Sequence, residues 1–354
     1  MRPLWYLALL AGLLPLRGGE GPGCTAFQLI HDDTVLVGKN LDWPIGDGYL
    51  LLNVRGESRR GWRPGDAPPL RWTTRYGSIT FNQFGRGFPL GGMNEAGLVI
   101  EELSYSPSRY PEGTAPPRIS ELQWIQYQLD TAPSVAAVIA SLDSLSITPL
   151  LFRLHYFLAD AGGRVAVLAF LDGQPRVFVD STLPVPVLTN NSYPNALRYL
   201  AKHRGFGGER IAGDGPESPE RFVRAATALR HDRGTHGGTG TARTAAILKS
   251  VRQQDTQWSI VYNLTAGTIR FTHRGDSATA VLSVATLTRS TVSRTRFISI
   301  DAAEGPLAPE AFQSWTPEAN RCLLETVFAA LVANGEVHEE VAGSLIDILD
   351  GHAR

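Results

Sequence analysis

Cysteine is almost missing from this chain of 354 residues: only Cys24 and Cys322 occur. In an exported protein a single pair invites a disulfide. Cys24 has a better-specified task, developed below, and Cys322 lies in a helix-patterned stretch near the other end of the chain. Two free thiols are therefore expected, with Cys322 as a small buried apolar residue. A charge excess is missing too. The formal net charge is −1 and the isoelectric point about 6.7, so no basic surplus points to nucleic acid or to an anionic membrane surface. No apolar run reaches the length of a membrane-spanning helix, including the one at residues 4–16. Internal repeats are absent and no shift in composition marks a boundary, so residues 24–354 read as one domain with a helical C-terminal tail.

What is present begins at the N-terminus. Arg2, the apolar residues 4–16 and the small-residue run Gly18-Gly19-Glu20-Gly21-Pro22-Gly23 have the pattern of a secretory leader spanning residues 1–23. Cleavage after Gly23 makes Cys24 the first residue of a secreted or periplasmic protein. A first-residue cysteine carries a thiol and a free α-amine, and the amine titrates near neutrality, at ~7.7–8.0 unperturbed. It can take the thiol proton and later deliver it to a leaving amine, so nucleophile and base come from one residue.

Along the chain, strand patterns at 25–30, 34–38, 49–54, 78–84 and 97–103 precede helical patterns at 119–129 and 134–145. A second β-rich half follows at 155–160, 165–171, 176–179 and 185–189, with Asp172-Gly173 as a hairpin turn. Helices are expected at 221–229, 244–251, 317–334 and 337–349, and a strand hairpin at 259–272 around Ala266-Gly267. The stretch 234–241 is low in complexity and reads as a mobile loop. This order predicts a layered α+β fold with largely antiparallel sheets.

Four short segments carry a resemblance: Cys24-Thr25 with Gly38-Lys39-Asn40-Leu41-Asp42, then Asn94-Glu95-Ala96-Gly97-Leu98, Leu188-Thr189-Asn190, and Arg221-Phe222-Val223. In that order they resemble the choloylglycine hydrolase family, linear-amide C–N hydrolases that include penicillin V acylases and bile salt hydrolases. The resemblance implies an N-terminal-nucleophile hydrolase with a four-layer αββα sandwich. It also implies a small-molecule N-acyl amide substrate, no cofactor, and the family's tendency to form homo-oligomers. It assigns Cys24 as the nucleophile that forms a thioester. Asp42 becomes the carboxylate holding the α-amine, Arg221 the charge that favours thiolate, and Asn190 an oxyanion donor.

Two positions depart from the family pattern. Lys39 stands where many members carry arginine; it keeps the charge and loses the bidentate fork. Ser104, followed by Tyr105, falls at the second oxyanion position, where bile salt hydrolases carry asparagine and several penicillin acylases an aromatic residue. The departure at Ser104 and the leader rank an acylase of aryl- or fatty-acyl amides first, ahead of a bile salt hydrolase or an acyl homoserine lactone acylase. A lipoprotein anchored through Cys24 is the alternative of another class, and a papain-like Cys–His enzyme lacks its flanking signature here. Glu101 and Glu102, adjacent on a strand, point to opposite faces and make a poor glycosidase pair. His231 and His236 lack metal-ligand spacing and read as loop residues. Trp43, Phe81, Phe84, Tyr105 and Trp124 are expected in the core or in a pocket wall.

Overall fold

The computed structural model describes residues 23–63, 68–113, 117–232, 238–273, 278–288 and 294–353. Residues 1–22 of the leader expected at 1–23, His236 and residues 234–237 of the loop expected at 234–241 lie outside the described residues.

The chain opens with a hairpin, Thr25–His31 against Thr34–Asp42 in register Thr25↔Asn40 to His31↔Thr34. Asp32, at φ 47°, makes the tight turn. Both strands are buried on both faces almost throughout, as a strand must be when helices cover one side and a second sheet the other. This hairpin supplies the second and third strands of a sheet in the order Val187–Leu188, Thr25–His31, Thr34–Asp42, Thr256–Asn263, Thr268–His273, Ala278–Ser283 and Gly305–Pro306. Helices Ser218–Asp232 and Gly240–Ser250 pack on its outer face.

The second sheet is antiparallel throughout and runs Gln174–Val179, Val165–Leu171, Leu154–Ala159, Val99–Ser104, Pro89–Asn94, Ser78–Asn82, Tyr49–Asn53, Arg296–Ser299 and Gln313–Ser314. Helix Glu121–Thr131, capped by the Ser120 hydroxyl, covers its outer face. The expected Asp172-Gly173 turn joins two of these strands, both residues at positive φ (53° and 74°) as a type I′ turn requires. The layers are therefore helix, sheet, sheet, helix. Between the sheets, Phe81 packs against Trp258, Tyr262 and Phe271 at ring-centroid distances of 5.8, 6.4 and 5.4 Å. Each such fully buried aromatic contributes about 1.5–3 kcal/mol of transfer free energy.

The C-terminal helices Pro317–Ala333 and Glu339–Ala353 pack on each other. Cys322 lies on the first of them, as the pattern predicts, but it is exposed rather than buried. It faces away from the apolar seam of Leu323, Leu324, Val327 and Phe328. His231, expected in a loop, belongs to the last turn of helix Ser218–Asp232. Among the described residues, no helix is long and apolar enough to cross a membrane.

Candidate active site

Sheet pairing brings the proposed catalytic residues to one end of the first sheet. Cys24 immediately precedes the strand Thr25–His31. On one flank that strand pairs with Val187–Leu188, which carries Asn190 just beyond its end. On the other it pairs with Thr34–Asp42, which brings Asp42 alongside. Arg221, in the first turns of helix Ser218–Asp232, is 1 % exposed and closes the group. Its Nη1 donates to the Cys24 carbonyl and the Thr25 hydroxyl, both at 2.7 Å, and its Nη2 donates to Asn190 Oδ1 at 3.1 Å. Nη1 also lies 3.9 Å from Asp42 Oδ2. Cys24, Asp42, Asn190 and Arg221, which span nearly two hundred residues of sequence, thus form one buried cluster.

The Asn190 amide is fixed at both ends. Its Nδ2 donates to the Ser104 carbonyl at 2.9 Å while Oδ1 takes the Arg221 bond. Ser104 therefore joins the site through its backbone carbonyl, which accepts; what it does here is orient the Asn190 amide. Asp42 is held by two residues that carry no sequence signature. Thr256 donates to its Oδ1, and Gln253 Nε2 donates to Oδ2 at 2.9 Å. The same Gln253 nitrogen donates to the Gly23 carbonyl at 2.8 Å. Burial raises the Asp42 carboxyl above its ordinary value against these donors and the Arg221 charge.

Lys39 reaches from the first sheet across to the second. Its Nζ donates to the Glu102 carbonyl and sits 3.5 Å from Glu101 Oε2, and Tyr262 donates its hydroxyl to Glu101 Oε1. Burial alone would lower the Lys39 pKa. The charges of Cys24, Glu102, Glu101 and Asp42 outweigh it and keep the ammonium protonated. Burial pushes the Cys24 thiol up to about 12, with Lys39 the strongest opposing charge. The thiol beside a peptide-bonded Gly23 is therefore protonated at neutral pH, with the Lys39 ammonium opposing that shift.

Glu101 is pushed up to about 7 by burial, against Lys39 and Tyr262. A carboxyl whose folded pKa lies above its ordinary 4.5 adds stability that is complete below that value and fades as pH rises through about 7. Wild-type protein should accordingly lose thermal stability between pH 5 and pH 8 relative to Glu101→Gln. Thermal unfolding of both proteins at the two pH values checks this; a difference between them that is independent of pH contradicts it.

Other motif residues serve the fold. Asn40 donates to the Leu248 carbonyl at 3.0 Å and accepts from Ser259 at 2.8 Å, tying a helix to the sheet. Asn94 donates to the Leu129 and Ala132 carbonyls and accepts from the Ala96 and Leu98 amides. Gly97, at φ +86°, completes that turn where a Cβ would meet Ala161 at 2.6 Å. His155 is a further buried residue that no motif announces. It stacks on Tyr105 at 4.9 Å and 10°, with the Thr189 backbone beside its ring. Burial and the Lys39 charge push it down to about 3, so it is neutral. The half-buried Trp43, next to Asp42, meets Phe152 edge-on at 6.1 Å, and Phe84 packs on the other side of Phe152 at 5.1 Å. Among the described residues, no group of three His, Cys, Asp or Glu side chains is placed to hold a metal ion.

Residues 24–259 match the linear amide C–N hydrolases of the choloylglycine hydrolase family. The chain belongs to this family. It is thus a hydrolase of linear amide C–N bonds, and its αββα sandwich is shared with solved structures. One is a penicillin V acylase from Agrobacterium tumefaciens, with TM-score 0.71 and 23 % identity, covering 83 % of this chain and 98 % of that one. Another is a conjugated bile acid hydrolase from Clostridium perfringens, solved as a mutant, with TM-score 0.65, 15 % identity and coverage of 80 % and 98 %. A second variant of that bile acid hydrolase also gives TM-score 0.65 and 15 % identity, covering 79 % and 98 %. None of the curated proteins matches the chain. The matched segment starts at Cys24.

Proposed function

We propose that this hydrolase is an exported cysteine amidohydrolase that cleaves an N-acyl amide with an aryl acyl group, of the penicillin V kind. In this reading, removal of residues 1–23 leaves Cys24 with a free α-amine. That amine takes the thiol proton as Sγ attacks the amide carbonyl carbon, and Asn190 donates to the oxyanion. The amine then protonates the departing nitrogen as the C–N bond breaks, leaving a thioester on Cys24. Water, deprotonated by the same amine, hydrolyses the thioester to the free acid and restores the thiol.

The observation that carries this reading is the surroundings of the Gly23–Cys24 peptide. Its carbonyl is held by Gln253 beside Asp42, and a Cβ at residue 23 would come within 2.3 Å of Asn190 Oδ1 and 2.5 Å of Arg221 Nη2. Gly23 therefore lies against the proposed oxyanion donor and the residues that hold Asp42, which supports a reading in which it is removed. The aryl preference rests on Trp43, which follows Asp42 and meets Phe152, itself in contact with Phe84; among the described residues Trp43 Nε1 is buried without a partner. A lipid anchor on Cys24 is disfavoured, because the residue is 6 % exposed and its carbonyl is bound by Arg221.

Penicillin V, a conjugated bile acid and a long-chain acyl homoserine lactone, assayed side by side, test the substrate class; penicillin V is expected to be turned over fastest. On that substrate Asn190→Ala should lower kcat by on the order of 10²–10³, with KM little changed, because the donor acts on charge that develops only in the transition state. The same change removes the bonds that Asn190 makes with Arg221 Nη2 and the Ser104 carbonyl, at a cost of about 1–3 kcal/mol in stability. Wild-type kcat in Asn190→Ala would return Asn190 to a purely structural part.

A further inference from the structure

At the far side of the second sheet the short ribbon Ser58–Arg60 and Arg71–Thr73 meets the Gly85–Gly87 turn and the end of helix Glu339–Ala353. They enclose a cavity of about 340 Å³ whose lining includes Arg59, Arg60, Arg71, Arg86, Trp72 and His352. None of the residues assigned to amide hydrolysis lines it. Among the described residues no carboxylate lines it either.

The four guanidinium groups are not equivalent. Arg59 and Arg86 lie against the carboxylates of Glu57 and Asp130. Arg59 Nε is 2.9 Å from Asp130 and its Nη2 3.5 Å from Glu57, and Arg86 Nη2 is 2.6 Å from Glu57. Two carboxylates thus balance two guanidiniums. Arg60 and Arg71 stand directly opposite each other in the antiparallel ribbon. Neither has a carboxylate within ion-pair distance among the described residues, and the hydrogen bond of the Arg60 side chain is a long one, 3.4 Å to the Gly351 carbonyl. Like charges directly opposite on a ribbon repel, so among the described residues an excess of two positive charges is held at the cavity mouth at a cost in stability.

The walls supply further donors. Arg86 Nε and His352 Nδ1 are buried without a hydrogen-bond partner. Burial and the Arg60 charge push the His352 imidazole down to about 4, so it is neutral and can offer an N–H. The Trp72 indole N–H is committed to Asp130 at 2.7 Å, which leaves its ring as an apolar wall. The volume of about 340 Å³ is many times the ~10–15 Å³ of such space that one water needs. Guanidinium forks match carboxylate and phosphate oxygens in pairs.

We propose that this cavity is a binding site, separate from the amide-cleaving centre, for a small molecule bearing two oxyanion groups, gripped by Arg60 and Arg71 and completed by donors of Arg86 and His352. The test is calorimetric titration of the processed protein with inorganic pyrophosphate and with citrate, at an ionic strength fixed by sodium chloride and with acetate as the single-charge control. Pyrophosphate or citrate should bind at least about tenfold more tightly than acetate, and whichever binds tighter tells phosphate from carboxylate as the preferred group. The double variant Arg60→Gln with Arg71→Gln should lose that binding by about tenfold or more. Both residues are exposed and outside the amide-cleaving cluster, so the variant should keep its fold and its amide turnover, which a circular dichroism spectrum and an activity assay confirm. Binding of both polyanions no tighter than acetate, or equal binding by the double variant, overturns the proposal. Because binding is read directly, the result stands apart from whether penicillin V is the substrate.

Discussion

Cys24→Ser should fold as the wild type does and lose amide turnover by on the order of 10³–10⁶, the range over which removing a covalent nucleophile acts. Burial has already pushed the Cys24 thiol up to about 12. A hydroxyl in the same place starts several units higher, so the α-amine cannot draw its proton, and oxygen is the poorer nucleophile. Cys322→Ser is the control, because Cys322 lies exposed on a surface helix with no link to the cluster around Cys24. Exposure also decides how an alkylation experiment reads. Iodoacetamide should label Cys322 readily without loss of activity, and inactivation should follow labelling of Cys24 alone. Loss of turnover that tracks Cys322 would place the nucleophile in the wrong half of the chain.

The other large effect is expected from one retained glycine. An initiator methionine placed before Gly23, or directly before Cys24, and then removed by methionine aminopeptidase gives two chains that differ by one residue. The chain starting at Gly23 should show no turnover above background. Its Cys24 nitrogen is an amide without basicity, and its Gly23 carbonyl occupies the Gln253 donor beside Asp42. The chain starting at Cys24 should be fully active. Precursors carrying Gly23→Val should also mature or fold poorly, since side-chain atoms at that position run into Asn190 and Arg221. Equal turnover by the two chains would remove the α-amine from the mechanism.

The hairpin at 25–42 and the strands around Asp172-Gly173 were legible because dense apolar runs meet unambiguous turn residues. The strand Pro89–Asn94 was not. Its sequence, Pro-Leu-Gly-Gly-Met-Asn, argues against a strand locally, yet it lies inside the second sheet. The glycines are there for their neighbours: a Cβ on Gly91 would overlap the Glu101 carboxylate at 2.3 Å, and one on Gly92 would meet the Ile79 carbonyl at 2.4 Å. That is a tertiary reason, invisible to periodicity. Helix Tyr193–Leu200 was hidden likewise, being short and carrying a Pro in its first turn. At the site, Cys24, Asp42, Asn190 and Arg221 sit in recognisable segments. Gln253, Thr256 and His155 do not; Thr256 reaches Asp42 because the two pair across strands. The exposure of Cys322 was missed because helical spacing shows that a helix has faces without fixing which one packs inward.

The account stands or falls on a covalent intermediate at a free N-terminus. The most direct test is to quench the processed enzyme in acid during penicillin V turnover, digest it, and sequence the N-terminal peptide by mass spectrometry. The account predicts a peptide that begins at Cys24, has an unmodified α-amine, and carries the phenoxyacetyl group as a thioester that hydroxylamine removes. A peptide that still begins upstream of Cys24 in active enzyme, or an acyl group attached to any other residue, would contradict it.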